Sequence, residues 1–99
     1  MNDPALLILA SLADGDKHGY GMMLDIKQFA GVELGPGTLY TAITRLVKCG
    51  WIHPCESDDR RRPYRLTALG RTHLEEQMTS LNRVANTALG RLKHGLDQA

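Results

Sequence analysis

Gly35-Pro36-Gly37-Thr38-Leu39-Tyr40-Thr41-Ala42-Ile43-Thr44-Arg45-Leu46 is a helix written in two chemistries. Leu39, Ala42, Ile43, Leu46 and Val47 recur at i, i+3, i+4, i+7 and i+8, which makes one apolar face. Gly35 stands where an N-cap belongs and Pro36 at the first helical position, so the helix starts there and stops at Gly50. Thr38, Tyr40, Thr41, Thr44, Arg45 and Lys48 are left on the outward face. About a dozen residues later comes Asp58-Asp59-Arg60-Arg61-Arg62-Pro63-Tyr64-Arg65. Trp51-Ile52 opens a strand before it, Tyr64-Arg65-Leu66 forms the return strand, and Arg60, Arg61 and Arg62 lie in the hairpin loop between.

Two further helices precede this unit. Asp3-Pro4, a good N-cap and a good first helical residue, opens a helix from about Pro4 to Leu12 that is apolar almost all round and so suits burial among partners. Asp14-Gly15-Asp16-Lys17 ends it. Met22, Met23, Ile26, Phe29 and Ala30 mark the inward face of a second helix over roughly Tyr20 to Ala30, with Gly31 as its stop. Gly19 and Gly21 serve close packing or a turn; no preceding strand and no Gly-Lys-Ser ending supports a phosphate loop. Three helices followed by a basic hairpin is the order of a winged helix-turn-helix.

After the hairpin, Thr67 caps a long last helix from about Ala68 to Leu96. Leu74, Met78, Leu81, Ala85, Ala88 and Leu92 alternate steps of four and three, a heptad seam that wants a partner helix. Gly70, Gly90 and Gly95 each weaken that helix by about 1 kcal/mol relative to alanine. The fold class expected is mainly α with a small β-hairpin: a winged helix-turn-helix over residues 1–66 and a C-terminal dimerisation helix over 67–99, in one compact unit.

Charge is local rather than global. The net charge of the 99 residues is +1, yet residues 1–44, 45–71 and 72–99 carry −3, +4 and 0. Such a distribution suits a specific groove contact better than bulk attraction to polyanions. On a helix entering the major groove, Thr38, Thr41 and Thr44 can touch base edges or phosphates, and Arg45 can pair bidentately with guanine. Tyr40 is long enough to reach a phosphate, and Lys48 and Arg65 are phosphate neutralisers. An arginine of the 60–62 run can insert into an adjacent narrow minor groove, while Asp58 and Asp59 turn the hairpin and orient those arginines.

The chain resembles the PadR family of bacterial transcriptional regulators. The matching residues are His18-Gly19-Tyr20-Gly21, Gly35-Pro36-Gly37-Thr38-Leu39-Tyr40 through Arg45-Leu46, Gly50-Trp51-Ile52, and Arg62-Pro63-Tyr64-Arg65-Leu66-Thr67 with Gly70-Arg71 after it, covering roughly residues 5–80. The resemblance implies a homodimer joined through the last helix, binding palindromic operator double-stranded DNA, usually as a repressor and in some members released by a small-molecule effector. It implies DNA contact from Tyr40, the Thr38 to Arg45 face and the wing arginines. Gly35 departs from the serine of many relatives, and with one C-terminal helix the chain resembles the short branch. Some members stack flat aromatic ligands on an aromatic residue of the last helix; no Phe, Trp or Tyr follows Leu66 here.

The remaining chemistry is sparse. Cys49, His53 and Cys55 match no paired Cys-x-x-Cys spacing, so no metal and no cofactor is expected, and Cys49 reads as a small core residue. Free cysteines and the absence of a basic segment before Ala5 to Ala13 suit a cytoplasmic protein. No apolar stretch reaches the roughly 20 residues of a membrane span. No paired carboxylates or Ser-His or Cys-His arrangement suggests an enzyme. The alternatives are a winged-helix protein-interaction module, indifferent to salt and to loss of Arg45 or Arg61, and a redox- or ligand-responsive regulator.

Overall fold

The helices begin where the sequence satisfies their first backbone donors. The computed structural model describes residues 3–57 and 60–98; Asp58 and Asp59, with the arginine-orienting role read for them, lie outside that range. The Asp3 carboxylate accepts from the Ala5 N–H at 3.0 Å and starts α1 (Pro4–Leu12). His18 Nδ1 accepts from the Gly21 N–H at 3.1 Å at the start of α2 (Gly19–Ala30), and Gly31, at φ 67°, closes it in the left-handed region that favours glycine. Helix α3 (Pro36–Lys48) rises from Gly35 with no side-chain cap. Thr67 then starts α4 (Ala68–Gln98): its hydroxyl oxygen accepts from the Gly70 N–H at 3.0 Å and its proton goes to the Gly50 carbonyl at 2.6 Å.

Between these helices runs an antiparallel sheet of three strands rather than a bare hairpin. The strands are β1 (Lys17–His18), β2 (Ile52–Pro54) and β3 (Pro63–Leu66), in the order β1-β3-β2. Ile52 pairs with Leu66 and His53 with Arg65, while Lys17 pairs with Tyr64 and His18 with Pro63. The sequence reading leaves β1 as a plain turn, since two residues are too few to show alternation. Its consequence is positional: β1 fastens the wing to the start of α2.

Helix α1 is the centre of the packing. Leu7, Ile8, Leu9 and Leu12 are buried against Met22 and Ile26 of α2, Leu39, Ala42, Ile43 and Leu46 of α3, Ile52 and Leu66 of the sheet, and Leu74 of α4. Each such Leu, Ile or Met side chain contributes about 1.5 to 3 kcal/mol when fully buried. Ser11, the one buried polar side chain among the described residues, donates to Asp25 Oδ2 at 2.7 Å, and the Lys17 ammonium caps α1 by donating to the Ser11 carbonyl and to Asp14. Phe29 and Ala30 are exposed in the last turn of α2, where Leu34 and Val32 supply the packing instead.

Helix α4 departs most from its sequence reading. Leu74 is buried in this chain's own core and Met78 packs against that core, so the first two positions of the expected seam are occupied within the chain. The reason is α1, which lies alongside the first turns of α4. Trp51 reinforces the join by stacking on His73, with ring centroids 3.8 Å apart and planes at 12°. From residue 82 to residue 96 every position is exposed. This free length gives the molecule its 61 × 26 × 20 Å extents.

Candidate nucleic-acid interface

With Leu39, Ala42, Ile43 and Leu46 turned inward, helical phase places Gly37, Thr41, Thr44 and Lys48 directly opposite the core. Thr38 and Arg45 lie on one flank of that face and Tyr40 on the other. All the outward residues read from the sequence are exposed. The flanks differ in what they meet. Thr38, Thr41 and Arg45 border a cleft of about 550 Å³ whose far wall is the start of α1 and Trp51. Cys49 lines the same cleft and is exposed, not a core residue: the phase that buries Leu46 carries position 49 round to the Arg45 flank.

Tyr40 turns the other way. Its phenol lies against Gly19 at the start of α2, so close that a Cβ on Gly19 would stand 2.6 Å from Oη. The Thr44 hydroxyl donates to the Tyr40 carbonyl at 2.9 Å, which commits its proton and leaves it as an acceptor on the open face. Arg60, Arg61 and Arg62 are exposed and, with Tyr20, Tyr40 and Tyr64, surround a crevice of about 270 Å³. The Arg61 guanidinium carbon lies 5.9 Å from the centre of the Tyr20 ring, within cation–π range.

Arg65 behaves differently from the loop arginines. Its Nε and Nη2 donate to Asp16 Oδ2 at 3.3 and 3.1 Å, tying β3 to the turn after α1. That hydrogen bond, reinforced by the carboxylate's charge, pushes the guanidinium above its already high ordinary pKa. Part of the charge read as a phosphate neutraliser is therefore spent inside the chain. The Cys55 thiol sits 3.9 Å from the same carboxylate oxygen. Among the described residues no group of three His, Cys, Asp or Glu side chains is placed to hold a metal, and no helix is long and apolar enough to cross a membrane.

Residues 8–76, which contain α3, the wing and the start of α2, match the model of the transcriptional regulator PadR-like family. The chain belongs to the PadR-like family. A 37.1 kDa protein in transposon TN4556 of Streptomyces fradiae is 43% identical over 84 residues, although this PadR-like chain spans only 24% of its length. Transcriptional regulator Rv3488 of Mycobacterium tuberculosis is 35% identical over 92 residues, 90% of this chain and 85% of that one. Among solved structures, a PadR family transcription regulator from Clostridium difficile R20291 superposes with a TM-score of 0.75 at 26% identity, covering 87% of this chain and 97% of that chain. The smu.1704 structure from Streptococcus mutans UA159 gives 0.74 at 30% identity, over 91% and 86%.

For the PadR-like chain the structure adds Tyr20 and Asp16 to the surface, and it gives Gly19, read from the sequence as a close-packing or turn position, a definite partner in Tyr40. A Gly19→Ala variant is expected to keep its melting temperature within a few degrees, because the clash falls on the free end of a side chain. Its Tyr40 ring resonances are expected to shift as the phenol is pushed off α2. An unmoved Tyr40 spectrum would show that the ring does not rest on Gly19.

Proposed function

We propose that this PadR-family regulator is a homodimeric, cytoplasmic repressor of palindromic operator DNA. The observation that carries the reading is the exposed α3 face of Thr41, Thr44, Lys48 and Arg45 set beside an arginine-rich wing, on a fold whose family regulates transcription. In this reading the two α3 helices enter successive major grooves about 34 to 36 Å apart. Thr41 and Thr44 meet base edges, Arg45 reads a guanine from the flank, and Lys48 neutralises a phosphate.

The second copy is supported by the far half of α4. Val84, Ala88, Leu92 and Leu96 form an apolar stripe with Arg83 and Arg91 along one side, and Val84, Leu92 and Leu96 are at 62%, 66% and 77% exposure. Apolar side chains in one continuous stripe mark an interface that a lone chain leaves uncovered. This stripe, rather than the Leu74 and Met78 end of the seam, is the surface left for a partner.

Selection of duplexes from a random pool, at low and moderate salt, tests the function. A palindromic sequence bound tightly and with a steep salt dependence is the expected result; failure of the folded protein to enrich any sequence would overturn it. With that operator in hand, Arg45→Ala is expected to weaken binding by about 1 to 3 kcal/mol and to relax the preference at one base position. An unchanged preference, measured by repeating the selection, would remove Arg45 from base recognition.

A further inference from the structure

Building on the DNA reading above, we infer that the crevice between Tyr40, the start of α2 and the wing seats one backbone phosphate of the duplex. The wing arginines thereby serve the sugar-phosphate backbone rather than the minor groove. The wing is held back over α2 at two points. The β1–β3 pairing sets His18 opposite Pro63, immediately after the arginine run. The Arg61 guanidinium lies over the Tyr20 ring. The arginines at 60–62 therefore lie toward the start of α2.

What it encloses has the chemistry of a phosphate seat. Guanidinium groups from the wing loop meet phenols from α2, α3 and β3, and none of the described lining residues is acidic. Planar guanidinium forks match phosphate oxygens, and a phenol can donate to the oxygen that remains. A crevice of about 270 Å³ lies just below the range of small-molecule sites, about 300 to 1,000 Å³, and admits a tetrahedral anion with its bridging water. Gly19 is what allows Tyr40 into the wall, since a side chain there would occupy the phenol's place.

The test compares Arg62→Ala and Tyr40→Phe with the unmodified protein on the selected operator and on a scrambled duplex, from about 50 to about 200 mM salt. Arg62→Ala is expected to lose about tenfold on both duplexes and to flatten the slope of log K against log salt by about one. Tyr40→Phe keeps the ring and loses only the hydroxyl. It is expected to weaken both duplexes several-fold with the slope unchanged. An Arg62→Ala loss confined to duplexes with A/T-rich flanks, with scrambled DNA unaffected, would overturn the phosphate seat while leaving the DNA reading intact. If the unmodified protein shows no salt-sensitive duplex binding, the DNA reading itself falls first.

Discussion

Gly70→Ala is expected to destabilise the protein by about 2 to 4 kcal/mol, a large share of the roughly 5 to 15 kcal/mol that a domain of this size commands. A Cβ at position 70 would stand 2.0 Å from the Trp51 carbonyl oxygen, 2.8 Å from its carbon and 3.0 Å from Leu66 Cδ1. No rotamer change relieves a collision with backbone. The first turn of α4 would have to lift, and three attachments sit under it. The Trp51 carbonyl accepts from the Thr67 N–H at 3.1 Å, Thr67 bridges Gly50 and Gly70, and His73 stacks on Trp51. Overpacking alone costs about 1 to 3 kcal/mol and loss of a helix cap about 1 more. Urea unfolding followed by circular dichroism reads the effect as a lowered midpoint. Gly90→Ala is the internal comparison: nothing lies within 4 Å of its Cβ position, so a gain of up to about 1 kcal/mol is expected there. A Gly70→Ala protein that unfolds with the unmodified one would mean that α4 does not approach Trp51 so closely.

The second large effect is expected from Leu92→Lys. Leu92 is exposed and belongs to no part of the chain's own core, so the melting of a single chain has no reason to change. In the proposed dimer the same side chain lies under the partner, where an ammonium replaces apolar contact. Sizing by light scattering is expected to show a monomer. Operator affinity is expected to drop by about 10²- to 10⁴-fold, because the second half-site loses the high effective concentration that linkage provides. Leu81→Lys is a poorer probe of the same idea, since Leu81 is already partly buried. A Leu92→Lys protein that stays dimeric and binds its operator normally would place the interface elsewhere.

Local signals were legible in the sequence and long-range ones were not. Asp3-Pro4, Pro36 and Thr67 start their helices within a residue of the reading, because caps and first-turn prolines act on the nearest four residues. The buried face of α3 followed from its period. The reading of Gly70 as a mere weakness and of Cys49 as core failed, and the burial of Leu74 in this chain's own core went unread, for a common reason. Each depends on which distant segment comes alongside: the Trp51 carbonyl, the start of α1, the length of α1. At the candidate interface the outward residue types were visible, but not that Tyr40 leans on Gly19 or that Arg65 is already engaged by Asp16, 49 positions away.

Helix α4 runs unbroken over 31 residues, about 46 Å at the usual rise. Its near end is bolted to the turn that follows α3, and its apolar stripe lies at the far end. It thus acts as a crankshaft and not as a tether: whatever grips the far stripe is held at a fixed azimuth to α3. In a symmetric pair of such chains the separation and tilt of the two reading helices would be set by the screw phase of α4, with no hinge to adjust them.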